Sequence, residues 1–245
     1  MITDPAELVI SADPWAVLRG ATRARVALGR AGDGLPTARE LEFRAAHAVA
    51  RDAVHEALDA EPVRAGLPEL EVVEVHSAAA DRAEYLQRPD LGRRLADGTS
   101  LPRADADLAV VIGDGLSPRA VHEHAAAMTV ALLERLPGWS VAPVVLAHQA
   151  RVALGDEIGA ALGVRAVVVL IGERPGLSSA DSLGIYLTWD PRPGRVDSER
   201  NCVSNVRPPH GLGYAQAAET VARLLGAARE LGASGVVLKD DRALE

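Results

Sequence analysis

D-L-A-V-V-I at 107–112, V-A-P-V-V-L at 141–146 and A-V-V-V-L-I at 166–171 are three short apolar runs of the length and β-branched content that buried strands have. The stretches between them are helical. Ser117 followed by Pro118 opens the first, over 117–136, as an N-cap and first-turn proline. Val152, Ile158, Ala161 and Leu162 give helical spacing to the second, over 151–162. Their lengths suit right-handed crossovers, so the three runs form a β-α-β-α-β unit. Working outward, E-V-V-E-V-H at 71–76 alternates like a half-buried strand and L-G-I-Y-L-T-W at 183–189 adds another strand. Residues 213–231 read as a further helix, and S-G-V-V-L-K at 234–239 reads as a final short strand.

Together these elements predict an α/β fold whose sheet is parallel-dominated and Rossmann-like over residues 67–245, preceded by a small helical segment over 1–66. In that segment Asp13 and Pro14 read as N-cap and first helical residue, and Trp15, Leu18, Thr22 and Val26 carry a helix to about Gly29. R-A-G-D-G-L-P at 30–36 is a loop. Thr37 and Glu40 stand in capping-box relation ahead of an Ala-rich helix that ends near Leu58. His47, Arg51 and His55 share one face of that helix at four-residue steps. With no third ligand in sight they read as a solvated or interface face, and no metal site is expected.

Composition narrows the function classes. The net charge is -8, and no run of Lys and Arg would neutralise successive phosphates, so nucleic acid is not an expected partner. No stretch approaches the roughly 20 apolar residues of a membrane span. M-I-T-D-P-A-E-L also lacks the basic-then-apolar order of an export signal, so a cytoplasmic protein is expected. One cysteine, Cys202, cannot form an internal disulfide. Aromatic residues make up only 3% of the chain, so the core must be built from Ala, Val and Leu.

Ligands of open α/β sheets bind beyond the carboxyl ends of the strands, and three loops lie there. G-D-G-L-S at 113–117 offers two glycines that either let a ligand approach the backbone or only form a tight turn; Pro118 interrupts a full G-x-G-x-x-G. G-E-R-P-G-L-S-S-A-D-S at 172–182 carries Glu173, whose carboxylate either accepts hydrogen bonds from a ligand or pairs with Arg174 at the surface. The longest, 190–212, holds Cys202, which reads as a nucleophile, a metal ligand or a small packing group, packing being favoured because no partner thiol or His–Asp pair is evident.

In order and spacing, D-P-W-A-V-L-R, Y-L-Q-R-P-D-L-G-R-R-L, I-G-D-G-L-S, G-E-R-P-G-L-S and R-N-C-V-S-N resemble the small subunit of ethanolamine ammonia-lyase over nearly the whole chain. The resemblance implies a heteromeric enzyme of six large and six small subunits that converts ethanolamine to acetaldehyde and ammonia with adenosylcobalamin. The large subunit's barrel carries the catalytic residues, and the small subunit shares the cobalamin site at the interface. The family's cobalamin contacts fall on Val152, Glu173 and Cys202 of this sequence. Some relatives carry a longer N-terminal extension associated with packaging into a bacterial microcompartment, which leaves packaging of this chain open.

A D-x-H-x-x-G motif, which would replace the cofactor's lower base with a protein imidazole, does not occur, so the cobalamin is expected base-on. The chain alone is expected to lack lyase activity and to bind the cofactor weakly. Two other readings compete: a stand-alone nucleotide-binding enzyme, suggested by I-G-D-G-L-S but lacking a complete fingerprint or a G-x-x-x-x-G-K-[ST], and a non-catalytic scaffold subunit.

Overall fold

The computed structural model describes Asp13 and residues 15–238; Pro14, read above as the first helical residue, lies outside them, as does Lys239. In chain order the helices are α1 (Ala16–Ala21), α2 (Thr37–His55), α3 (Ala60–Ala65), α4 (Arg82–Gln87), α5 (Pro118–Leu133), α6 (Leu154–Leu162) and α7 (Tyr214–Leu231). The strands are β1 (Val72–His76), β2 (Leu108–Gly113), β3 (Val144–His148), β4 (Ala166–Gly172), β5 (Leu183–Trp189) and β6 (Arg200–Val206). Contacts divide the chain into two compact units, Met1–Ala48 and Val49–Glu245, the division falling inside α2 and ahead of the boundary read near residue 66.

In the first unit α1 is shorter than the periodicity implied. The Thr22 hydroxyl accepts the N–H of Ala24 at 3.1 Å, a local bond that competes with continuing the helix. The capping box expected at Thr37 does not form. Thr37 is already inside α2, and Glu40 instead pairs with Arg44 at 2.6 Å. His47, Arg51 and His55 are all exposed.

The second unit is built on one mixed six-stranded sheet in the order β1-β3-β2-β4-β5-β6. The pairs β1/β3, β3/β2 and β2/β4 are parallel, while β4/β5 and β5/β6 are antiparallel. The run over 166–171 is apolar without alternation because β4 is buried along its whole length, with helices on both faces. On one face α5 and α7 pack Val121, Met128, Leu132, Val221 and Leu225 against Val110, Ile112, Val168 and Leu170. On the other, α6 packs Leu154 and Ile158 against Val111, Val145, Val167 and Val169. Ser117 caps α5 by accepting the N–H of Ala120 at 3.2 Å, and Gly163 ends α6 in the left-handed region at φ 75°. Among the described residues, no helix is long and apolar enough to cross a membrane.

Two expectations are corrected. The span 190–212 is not a single loop: it contains β6, which pairs antiparallel with β5. The final strand expected at 234–239 is instead a 3-10 turn over Gly235–Val237. Ser234 donates to the carbonyl of Glu199 at 2.6 Å, and the Gly235 N–H donates to Asn201 Oδ1 at 2.7 Å. These bonds hold the segment across the start of β6 by its side-chain partners rather than by a ladder, and Val236 and Val237 stay exposed.

The topology leaves a crevice at one edge. From β2 the chain passes through α5 to β3 on one side, then through α6 on the opposite face to β4 on the other side of β2. The loops leaving β2 and β3 therefore diverge, which is the arrangement that opens a ligand site at the strand carboxyl ends.

Candidate functional site

Asp114 organises this edge. It is 2% exposed and accepts the N–H groups of Gln149 at 3.0 Å and Ala150 at 2.7 Å, plus Arg82 Nη1 at 3.0 Å. One carboxylate thus joins the loop after β2, the turn after β3 and α4. Burial pushes the carboxyl up, and the Arg82 charge with the two backbone donors pulls it down. Three donors aimed at its oxygens serve the ionised form. Arg82 also donates to the carbonyls of Gly115 at 2.9 Å and Val54 at 2.8 Å.

The glycines of G-D-G-L-S serve packing. Gly115 has φ +56°, and a Cβ there would lie 2.2 Å from the Gly172 carbonyl oxygen. A Cβ on Gly172 would lie 2.1 Å from the Ser117 oxygen, and the Leu116 N–H donates to Gly172 O at 2.9 Å. The loop rests on the end of β4 backbone to backbone. The Ser117 hydroxyl, which caps α5, also donates to the Ala180 carbonyl at 2.6 Å. The two glycines form a tight turn, and Gly115 and Leu116 also line the cleft beside it.

Between these loops lies a cleft of about 400 Å³, lined by Tyr85, Gly115, Leu116, Arg151, Val152, Ile171, Gly172, Glu173, Arg174 and Tyr186. Leu116, Val152, Ile171 and the Tyr186 ring make its apolar walls. Tyr85 is fully buried, with the Arg82 and Arg151 guanidinium carbons 4.9 and 4.7 Å from its ring centre, and its hydroxyl donates to Ala150 O at 2.9 Å. Burial, reinforced by the charge of Asp114, raises its pKa, so the phenol stays neutral.

The three residues singled out from the sequence are placed as follows. Val152 is not in α6, as expected, but in the turn just before it, partly buried against the α6-side core. Glu173 follows directly on β4; its carboxylate accepts from the Ser182 hydroxyl at 2.5 Å and from the Asn205 N–H at 3.3 Å. Those two partners, rather than Arg174, fix its direction. Cys202 lies within β6, not in a loop, and stands opposite Tyr186. Tyr186 in turn stands opposite Val169. Val169, Tyr186 and Cys202 therefore form one row on the α6 face of the sheet, running from beneath α6 to an exposed Cys202.

Val152 and Glu173 line one cleft, and Tyr186 connects that cleft to Cys202. Although Cys202 is exposed as a residue, its surroundings push the thiol up, Tyr186 opposing this and the Glu173 charge adding to it. The nucleophile reading is disfavoured, because a reactive cysteine needs its pKa lowered.

Two further features mark the edge. Arg82 Nη2, Gln149 Oε1 and Arg151 Nε are buried polar atoms without a partner, a condition native interiors rarely leave unless something else binds there. Gln149 and Asn205, neither of them glycine, hold φ of 50° and 60°, a backbone cost of roughly 1–2 kcal/mol each that is often stored at functional sites. Sequence reasoning missed Arg82, Tyr85, Asp114, Arg151 and Tyr186. One signal was present: the chain has only three tyrosines, and two of them line this cleft.

The sequence model of the ethanolamine ammonia-lyase light chain matches residues 12–239, a span that includes every residue of the cleft. This chain belongs to the ethanolamine ammonia-lyase light-chain family. Among its relatives in that family is the ethanolamine ammonia-lyase small subunit of Rhodococcus erythropolis, 55% identical over 232 residues, an alignment covering 93% of this chain and 90% of that one. The protein of the same description from Xanthomonas campestris pv. campestris is 56% identical over 241 residues, covering 94% and 88%. That from Pseudomonas fluorescens strain SBW25 is 48% identical over 253 residues, covering 98% and 91%.

Proposed function

We propose that this chain is the small subunit of an adenosylcobalamin-dependent ethanolamine ammonia-lyase, and that the edge carrying Val152, Glu173 and Cys202 forms one wall of the cobalamin site. The large subunit completes the enclosure and supplies the residues that act on ethanolamine, which is converted to acetaldehyde and ammonia. The observation that carries this reading is the shared cleft of Val152 and Glu173, continued along the sheet by the Tyr186–Cys202 pair.

The residues fit the group. A corrin is a broad apolar disc fringed with amides, and it needs flat contact together with a few acceptors and donors. The cleft offers apolar walls, the Glu173 carboxylate as acceptor, and Arg151, whose Nε has no partner, as a donor. At about 400 Å³ it can take only an edge of so large a ligand, in keeping with a site shared between two chains. Affinity then depends on assembly, because each chain alone presents half of the contacts. When bound, adenosylcobalamin supplies the radical chemistry of the reaction. This chain's own part is to bind, orient and exclude water: Ser182 and the Asn205 N–H hold Glu173 in one direction, and the Asp114–Arg82 bonds keep the neighbouring turns in register. The Rossmann-like reading of the fold rests on the parallel crossovers from β2 to β4.

The test is cobalamin titration of the assembled heteromer, followed by visible absorbance. Glu173→Ala is expected to weaken binding by about 10-fold or more, since hydrogen bonds to charged groups contribute about 1.5–3 kcal/mol. Cys202→Trp, which places a ring where the sheet face is exposed, is expected to weaken it also. Unchanged affinity in both variants would overturn the reading in favour of a scaffold subunit.

A further inference from the structure

We propose that Glu123, His124 and Asp181 form a site for a divalent transition-metal ion, zinc being the one their imidazole and carboxylate donors suit. The site is separate from the cleft, and the proposal does not rest on the cofactor reading. Glu123 and His124 lie on α5, Asp181 in the loop before β5, and their donor atoms all fall within 4.8 Å of one another.

His124 carries the argument. It is 5% exposed, and its Nε2 is buried with no hydrogen-bond partner, 3.9 Å from Glu123 Oε2. An imidazole nitrogen so placed lacks the partner that buried polar atoms ordinarily have. Its other nitrogen, Nδ1, is 2.8 Å from the Tyr214 hydroxyl at the start of α7. A metal-bound histidine characteristically has its second ring nitrogen held in this way, which fixes the tautomer and the ring plane. The hydroxyl of Tyr214 can accept a hydrogen bond from Nδ1–H once Nε2 is committed to the ion.

Asp181 is only half engaged. Arg207 donates to its Oδ1 from Nε at 3.0 Å and Nη2 at 2.5 Å, which leaves Oδ2 for the cluster and orients the carboxylate. Tetrahedral zinc at bonds of about 2.0–2.1 Å sets its ligands roughly 3.3 Å apart, so the group must close slightly on binding. Glu123 is the exposed member and can make that movement without disturbing the core. Three protein ligands leave a fourth position for water. The bound ion would tie α5 and, through Tyr214, α7 to the loop that begins at Glu173.

The experiment titrates the metal-stripped full-length chain with Zn²⁺ against a chromophoric indicator, with X-ray absorption on the loaded protein. One equivalent is expected, with one imidazole in the zinc shell and a raised thermal midpoint. Glu123→Gln and Asp181→Asn should each weaken binding at least about 10-fold, and Tyr214→Phe about 10–100-fold. His124→Ala should abolish it. A His76→Gln/His148→Gln double variant, which removes the stacked pair at the β1–β3 edge, should leave it unchanged. The proposal is overturned by the absence of stoichiometric binding, by binding that survives either carboxylate substitution, or by loss in the His76/His148 variant. Because Glu123 is exposed, its variant decides the matter even if His124→Ala fails to fold.

Discussion

Replacing Asp114 by alanine is expected to lower stability by about 3–5 kcal/mol, the usual cost of removing one partner of a buried ion pair. The Arg82 side chain is 14% exposed and already has one unpartnered nitrogen, so loss of Asp114 strands a largely buried charge. The same substitution orphans the N–H groups of Gln149 and Ala150, each of which donates only to this carboxylate among the bonds of that turn. In urea the midpoint should fall with the slope unchanged. Asp114 does not line the cleft, yet cobalamin affinity of the assembled heteromer should fall too, because the turn carrying Arg151 and Val152 loses its anchor. A variant within about 1 kcal/mol of the parent would refute the organising role given to this carboxylate.

Asp156→Ala is expected to have an effect of similar size. Asp156 and Arg200 are each 2% exposed in their side chains and meet at two points, Nη1 to Oδ1 at 2.6 Å and Nη2 to Oδ2 at 2.7 Å. Arg200 also donates to Thr188 Oγ1 and to the Arg195 carbonyl, both at 3.0 Å, so the pair clamps α6 to β5 and β6. Burial pushes the Asp156 carboxyl up and the guanidinium opposes it; the two-point geometry serves an ionised pair. Removing Asp156 alone leaves Arg200 charged and buried with only the 3.5 Å contact to the exposed Asp197 as an ion pair, at a cost of about 3–5 kcal/mol. Asp156→Leu combined with Arg200→Met should recover most of that loss, because no charge then stays buried. A double-mutant cycle in urea reads the difference, and a double variant less stable than either single one would contradict it.

Legibility in the sequence followed physical setting. The runs at 107–112 and 166–171 were readable because strands covered on both faces need apolar residues at every position. β6 was not. Its outward residues are polar, and its first position is an arginine buried by pairing with a carboxylate on another element, a contact no local pattern announces. The 234–239 segment has strand-like composition, but side-chain bonds from Ser234 and to Asn201 hold it as a turn. At the site, Glu173 was visible as a carboxylate at a strand end. Cys202 was visible as a lone thiol with packing its favoured role, and Val152 entered as a contact only through the family resemblance, since its side chain has no distinctive chemistry. Asp114 was hidden behind the two glycines that flank it, because its partners sit at Arg82 and Gln149. The Glu123–His124–Asp181 cluster joins a helix to a distant loop, so spacing alone could not reveal it.

The central claim, that the carboxyl edge of β2–β4 is one wall of a cobalamin site completed by the large subunit, is tested most directly by amide hydrogen exchange on the assembled heteromer with and without cyanocobalamin. The account predicts that the cofactor slows exchange at 115–116, 150–153, 173–176 and 204–205 and leaves the opposite edge, around 103–107 and 163–165, unchanged. Slowing confined to the opposite edge, or no change at those four segments while the cofactor is bound, would contradict it.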